Sequence, residues 1–276
     1  MSKLTAAIAP PSLFATLAEA RCVAELMRYL AASERSLVEQ APRGDGRPIL
    51  VIPGFLCSDL STWMLRRFLR KIGYRSFAWK QGINWGPKPG VRTRLLHRVH
   101  QLQECHGQPV TIIGWSLGGF YARELACTRP DLVREVVTLG SPLHGTPQAT
   151  AVWNAFLWLN RRHMPQIARG EIDFPLPYAV PCLSIFTRED GIVPWQFCKP
   201  QRGLAGQHIE VPGSHIGLVA NPMVMQILGQ HLGGKRRQRR KPAQRSHHSA
   251  LAPQNPALLS PAGSSASSTA ARKVPA

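Results

Sequence analysis

A serine stands between glycines in the stretch TIIGWSLGGFYARE, directly after a run of apolar residues. A serine hydroxyl is a weak nucleophile at neutral pH and needs a general base within hydrogen-bond reach, which a third group must orient. It also needs donors for the oxyanion that forms on the attacked carbonyl. The apolar run predicts a buried strand over 110–115, and a helix is predicted to start at Ser116. Ser116 is therefore a candidate nucleophile on a sharp turn, with Gly114 and Gly118 where a side chain would crowd that turn.

The candidate base is one of ten histidines. His215, in VPGSHIGL, follows the last predicted strand and precedes the last predicted helix. The other histidines that we considered lie in earlier elements or in the C-terminal tail: His97, His100, His106, His144, His247 and His248. His215 is one candidate base, and a structural loop histidine is the alternative.

The candidate acid lies in IFTREDGIVPW, residues 185–195, where a predicted strand ends in a turn at Asp190 and Gly191. A carboxylate here can bind the ring nitrogen of the base that faces away from the nucleophile, which fixes the tautomer of the imidazole. Its neighbour Glu189 has the same chemistry, and the residues alone leave both open.

The serine motif between strand and helix, with TLGSPLHGT at 138–146, resembles the α/β-hydrolase superfamily in its lipase and esterase branch. The resemblance covers about residues 49–230. It implies a catalytic triad in the chain order Ser116, Asp190, His215, because Asp-Gly-x-Val-Pro is similar to the acid loop of family members.

The resemblance also implies an oxyanion hole made of two backbone N–H groups. One belongs to Leu117, the residue after the nucleophile. The other is expected from Phe55 in PGFLCSD, where Pro53 stands in place of the usual histidine of the family.

The elements around these residues predict an α/β fold of the α/β-hydrolase type. Six short runs of apolar residues predict strands at 49–54, 74–79, 110–115, 133–140, 181–186 and 206–212. Helical segments alternate with them, which indicates a mostly parallel sheet covered by helices on both faces.

Three further segments accompany this domain, which is expected over 41–233. Residues 1–40 are expected to hold an amphipathic helix, because apolar residues recur at helical spacing from Leu13 to about Val38. A cap is expected over about 144–180, with an apolar stretch that either shapes a cleft for acyl chains or packs down on the domain. Residues 234–276 are expected to be a disordered basic tail, since they lack any apolar period.

Nearly half of the formal net charge of +19 lies in that tail. Nine of the Lys and Arg residues lie from Lys235 onward, with no Asp or Glu among them. The tail is expected to contact anionic surfaces weakly, and no stable nucleic-acid partner is expected. The chain has no metal-ligand spacing and no dinucleotide fingerprint, so no cofactor or metal is expected.

The compartment is expected to be the cytoplasm, with secretion as the alternative. The six cysteines are dispersed without a C-x-x-C pair, which is typical of buried thiols. Pro10 and Pro11 interrupt the apolar run near residue 1, which speaks against a secretory signal.

These observations predict a serine hydrolase that cleaves carboxylic esters, with a lipophilic acyl group and a small-molecule or lipid substrate. Two alternatives stay open: an acyltransferase that uses the same triad, and a non-catalytic basic protein that binds nucleic acid or anionic lipid.

Overall fold

The computed structural model describes residues 8–31, 34–162, 180–200 and 206–239. The second half of the predicted cap, 163–179, and most of the predicted tail, 240–276, lie outside the described residues. None of the described helices is long and apolar enough to cross a membrane.

Six strands form one parallel sheet, and they lie where the sequence predicts strands. They are β1 Pro48–Ile52, β2 Arg75–Ala78, β3 Val110–Trp115, β4 Val133–Leu139, β5 Cys182–Phe186 and β6 Gln207–Glu210. Their order across the sheet is β2-β1-β3-β4-β5-β6, and all five neighbouring pairs are parallel. Every residue of β1 and β3 is buried, as expected for central strands of a sheet that is covered on both faces. The predicted fold class is confirmed.

Eight α-helices are described. They are α1 Leu13–Ala18, α2 Cys22–Ala31, α3 Glu34–Gln40, α4 Trp63–Lys71, α5 Val91–His106, α6 Leu117–Thr128, α7 Trp153–Asn160 and α8 Pro222–Arg239. Helices α4 and α8 pack on one face of the sheet, and α5 and α6 pack on the other. In β1, Ile49 and Val51 belong to the first face and Leu50 belongs to the second, which is the alternation that a two-sided core requires.

The last helix runs farther than the sequence predicted. A close near Gly233 was expected, but α8 extends to Arg239, so the first residues of the predicted tail are helical.

The N-terminal segment, residues 12–40, differs from the single amphipathic helix that was predicted. It consists of α1, a 3-10 turn at Glu19–Arg21, α2 and α3. The apolar stripe of α1 points to solvent, with Leu13, Phe14 and Leu17 exposed by 75%, 83% and 67%. Hydrogen bonds of polar side chains hold the segment to the domain near Glu19, and Leu26, Leu37 and Val38 farther along pack against the core.

Candidate active site

Ser116 lies on a strained turn between β3 and α6. Its φ is 53° and its ψ is −121°, and it is one of three described non-glycine residues with positive φ. Such a conformation is costly for an L-residue and is found mainly at functional sites. A Cβ on Gly114 would collide with the backbone of Gly118 and Gly119, and a Cβ on Gly118 would collide with the carbonyl of Ile52. The glycines of the motif are therefore required by the close passage of the chain through this turn.

Backbone hydrogen bonds fix the turn in its place at the edge of the sheet. The N–H of Ser116 donates to the carbonyl of Leu139 at the end of β4, at 2.8 Å. The N–H of Gly119 donates back to the carbonyl of Ser116 at 2.9 Å. The side chain of Ser116 is half-buried, so its hydroxyl is held at the surface of the domain.

His215 and Asp190 form a buried hydrogen-bonded pair. His215 Nδ1 lies 2.6 Å from Asp190 Oδ2, and the two residues are only 3% and 5% exposed. The other oxygen of Asp190 accepts the backbone N–H groups of Ile192 at 2.9 Å and Val193 at 2.7 Å. Two backbone N–H groups and the imidazole therefore bind the carboxylate of Asp190, and the carboxylate in turn fixes the imidazole.

Glu189, the alternative acid, points elsewhere. Its carboxylate oxygen Oε2 lies 2.7 Å from Arg21 Nη1, and its side chain is half exposed. The structure thus brings Asp190, and not Glu189, to His215.

The environment of His215 favours its protonated form. Burial lowers the pKa of His215, but the charge and the hydrogen bond of Asp190 raise it, and Glu19 adds a smaller contribution in the same direction. The net result is a pKa above the ordinary value of histidine. An imidazolium formed during a reaction would be stabilised in this place.

His215 is linked to the serine turn through the neighbours of both residues. The indole Nε1 of Trp115, which precedes Ser116, donates to the carbonyl of His215 at 3.1 Å. Gly140 follows Leu139, whose carbonyl accepts the N–H of Ser116. A Cβ placed on Gly140 would lie 2.9 Å from His215 Nδ1. Among the described hydrogen bonds none joins Ser116 Oγ to the imidazole, a bond that in free enzymes is often long and tightens with substrate.

The loop after β1 lies against the serine turn. A Cβ on Gly54 would approach the Cβ of Ser116 to 3.2 Å, so the loop passes close to the serine. The backbone N–H groups of Phe55 and Leu117, the predicted oxyanion donors, donate to no acceptor among the described residues. Both N–H groups therefore lack an acceptor within this part of the chain.

Asn84, from the loop after β2, holds this loop in place. Its fully buried side chain donates from Nδ2 to the carbonyl of Pro53 at 2.8 Å and accepts the N–H of Gly86 at Oδ1 at 3.2 Å. Its backbone exchanges hydrogen bonds of 2.8 Å with Leu56 and Cys57. Sequence reasoning missed Asn84, because an asparagine in a Gly-rich loop is indistinguishable from an ordinary turn residue.

The described part of the cap lies beside the predicted oxyanion loop. The ring of Phe55 meets the ring of Phe156 on α7 edge to face, with centroids 5.2 Å apart. Phe156 in turn stacks with Trp153, at 6.0 Å. The side chain of Trp158 is 66% exposed. Phe55, Phe156 and Trp153 therefore form an aromatic wall at the loop after β1.

Three of the other histidines considered above, His100, His106 and His144, have partners elsewhere. His144 Nε2 lies 3.0 Å from the carbonyl of Lys199, and burial lowers the pKa of His144. His100 pairs with Glu104 and His106 with Arg75, both on the surface. His247 and His248 lie outside the described residues, as do residues 163–179 of the cap. Within the described residues, no group of three or more His, Cys, Asp or Glu side chains is arranged to hold a metal ion.

Two carboxylates of the N-terminal segment reach the base, and sequence reasoning missed both. Glu19 binds the backbone at His215, and Glu25 binds Ser214. A weak signal was present, since both acids interrupt an otherwise apolar segment. The sequence did not indicate that their partners lie nearly two hundred residues away.

Comparison with known proteins agrees with this architecture. A family model for the alpha/beta hydrolase fold matches residues 47–164. A search of curated protein sequences finds no match.

Solved structures are similar over about two thirds of the chain. A structure of the metagenome-derived lipolytic enzymes LipS and LipT is 16% identical with a TM-score of 0.52, and the match covers 71% of this chain and 96% of that one. Rv0554 from Mycobacterium tuberculosis is 16% identical with a TM-score of 0.53, covering 70% and 92%. Lipase B from Aspergillus fumigatus is 16% identical with a TM-score of 0.51, covering 67% of this chain and 52% of that one. The parallel sheet, the family match over residues 47–164 and these neighbours together show that the chain has the α/β-hydrolase fold.

Proposed function

We propose that the protein is a serine hydrolase that cleaves carboxylic esters with a lipophilic acyl group. The observation that carries this proposal is the buried His215–Asp190 pair, with 2.6 Å between Nδ1 and Oδ2, next to a serine in a strained turn. A buried acid that fixes one nitrogen of an imidazole leaves the other nitrogen free to act as a base toward a hydroxyl.

In the proposed mechanism the imidazole of His215 moves protons and Ser116 carries the acyl group. Ser116 Oγ attacks the acyl carbonyl while His215 Nε2 takes the hydroxyl proton. The backbone N–H groups of Leu117 and Phe55 donate to the oxyanion of the tetrahedral intermediate. His215 then gives its proton to the oxygen of the leaving alcohol, and the carbon–oxygen bond to the alcohol breaks.

The second half of the reaction returns the enzyme to its starting state. His215 removes a proton from a water molecule, whose oxygen attacks the acyl-enzyme. The new tetrahedral intermediate collapses, the proton returns to Ser116 Oγ, and the carboxylic acid leaves. Asp190 accepts the Nδ1–H of His215 and stabilises the imidazolium that forms twice.

The preference for a lipophilic acyl group is supported by the aromatic wall formed by Phe55, Trp153 and Phe156. Apolar and aromatic side chains line most sites that accept lipophilic ligands. The same triad can run an acyltransferase if an alcohol replaces water in the second step.

The test is hydrolysis of p-nitrophenyl esters from acetyl to palmitoyl by the wild type, by Ser116→Ala and by Ser36→Ala. Ser116→Ala is expected to lower kcat by a factor on the order of 10⁶, because the nucleophile is gone. Ser36 is exposed on α3, so its loss should leave the rate unchanged. Equal rates for all three proteins on every ester would refute the proposal. Ester products formed with an added alcohol would identify a transferase instead.

A further inference from the structure

Glu19 is a buried carboxylate that binds the loops of both the acid and the base. It is 3% exposed and accepts three backbone N–H groups. Its Oε1 accepts from Gly191 at 2.7 Å and from His215 at 3.0 Å, and its Oε2 accepts from Ile216 at 3.0 Å. Gly191 directly follows Asp190, so one carboxylate joins the acid loop to the base itself.

The burial of this carboxylate needs a reason. Removing an ionised carboxylate from water costs several kcal/mol unless charge-assisted hydrogen bonds compensate for it. Among the described ion pairs, none involves Glu19 with a lysine or arginine. Its compensation therefore comes from the three N–H groups, and the carboxylate holds those three groups at fixed positions.

Three neighbours of Glu19 bind the same two loops. Arg21 Nη2 donates to the carbonyl groups of Glu189 at 2.9 Å and Gly213 at 3.3 Å. Glu25 accepts the backbone N–H of Ser214 at 2.7 Å and the hydroxyl of that serine at 2.5 Å. Thr16 Oγ1 donates to the carbonyl of Gly191 at 2.8 Å. Residues 16–25 therefore act together as a clamp on the two loops.

We propose that Glu19 is a positioning residue, which sets the orientation of the His215 imidazole toward Ser116 by fixing the acid loop and the base loop to each other. This inference rests on the proposed function. It extends the active site to a segment that lies before residue 47, where the match to the family model begins.

The pKa of His215 is a measurement that a purely structural contact would leave unchanged, whereas the charge of Glu19 contributes to that pKa. The charged groups that face His215 are Asp190, at 2.6 Å, and Glu19, at its backbone N–H. Further charged groups at these two loops are Glu25, Arg21 and Glu189. Removal of the charge of Glu19 is expected to lower the pKa of His215, since that charge contributes to raising it.

The experiment compares Glu19→Gln and Glu19→Asp with the wild type, and Glu39→Gln serves as the matched control. Glu39 lies on the exposed surface of α3, where it pairs with Arg35. The kcat and KM for p-nitrophenyl acetate are measured with the thermal unfolding midpoint. The pKa of His215 is measured by NMR titration of histidine-labelled protein, with the signal assigned by its loss in His215→Ala.

Glu19→Gln is expected to lower kcat by about 10²-fold with little change in KM, because a displaced base costs rate rather than binding. The pKa of His215 falls in the same variant. Glu19→Asp keeps the charge and should recover part of kcat, with a pKa near that of the wild type. Glu39→Gln should match the wild type in every measurement.

A folded Glu19→Gln with the kcat and the His215 pKa of the wild type would overturn the proposal, as would a change in the unfolding midpoint alone. If Glu19→Gln does not fold, Glu19→Asp decides: its shorter side chain cannot reach all three N–H groups, so an unchanged kcat overturns the proposal. If the wild type hydrolyses no ester, the proposed function fails, while the titration still decides whether Glu19 controls His215.

Discussion

Replacement of Asn84 by alanine tests whether the loop after β1 is held ready to bind an oxyanion. Alanine keeps the two backbone hydrogen bonds to Leu56 and Cys57 but removes both side-chain bonds. The buried carbonyl of Pro53 and the buried N–H of Gly86 then lose their partners. The loop that carries Phe55 is expected to shift relative to Ser116.

The magnitude follows from these two groups. An unsatisfied buried polar group costs about 1–3 kcal/mol, so the free energy of unfolding should fall by about 2–6 kcal/mol. Deletion of an oxyanion donor costs about 10²–10³-fold in kcat. Since the N–H of Phe55 is displaced and not deleted, we expect kcat to fall by about 10- to 100-fold.

The assay is hydrolysis of p-nitrophenyl acetate, whose small acyl group depends little on the cap, together with urea unfolding. Asn160→Ala is the matched control: Asn160 is also fully buried and donates to Trp85 at 3.0 Å and Phe156 at 2.9 Å. Asn160 holds α7 rather than the loop after β1. Asn160→Ala should therefore lower the free energy of unfolding with a smaller loss of kcat. A folded Asn84→Ala with the kcat of the wild type, or with no greater loss than Asn160→Ala, would refute the reasoning.

Two further predictions concern the base and its acid. The pKa of His215 is raised and the base must be neutral to act, so kcat/KM should fall as the pH is lowered through a value above the ordinary histidine pKa of about 6.5. A profile of kcat/KM that stays flat to below pH 6.5, roughly the ordinary histidine value, would contradict this. Asp190→Asn should lower kcat by about 10⁴-fold, because an amide no longer fixes the reactive tautomer of the imidazole. Glu189→Gln should change kcat little, and comparable losses of kcat in the two variants would contradict the choice of Asp190 as the acid.

The sheet could be predicted from the sequence because each strand is a short apolar run between turn residues. The run VTIIGW is buried along its whole length, and the structure makes it the β3 strand at the centre of the sheet. The same periodicity misled at the N-terminus, where Leu13, Phe14 and Leu17 have helical spacing but face solvent. Periodicity shows that one face is apolar, and it does not show that this face is covered.

The candidate site was predictable where a residue type and its place at a strand end coincide. Ser116, Asp190 and His215 each follow a strand, and parallel strands bring their carboxyl ends to one edge. Glu19 and Asn84 could not be found in this way, because their roles depend on backbone groups of distant loops. Backbone N–H and C=O groups are alike at every position, so a sequence carries no sign of which one a side chain will bind.

The clamp of residues 16–25 also has a consequence for the order in which the chain matures during synthesis. The partners of Glu19 lie 172 to 197 residues downstream. At about 5–20 residues per second, roughly 10–40 s separate the synthesis of this carboxylate from that of the N–H groups that it binds. Closing so long a loop adds only a modest entropic cost, because that cost grows with the logarithm of loop length. The sheet can therefore assemble strand by strand while Glu19 stays hydrated, and the proposed enzyme acquires its competent base only when the loop of His215 has been synthesised and meets Glu19.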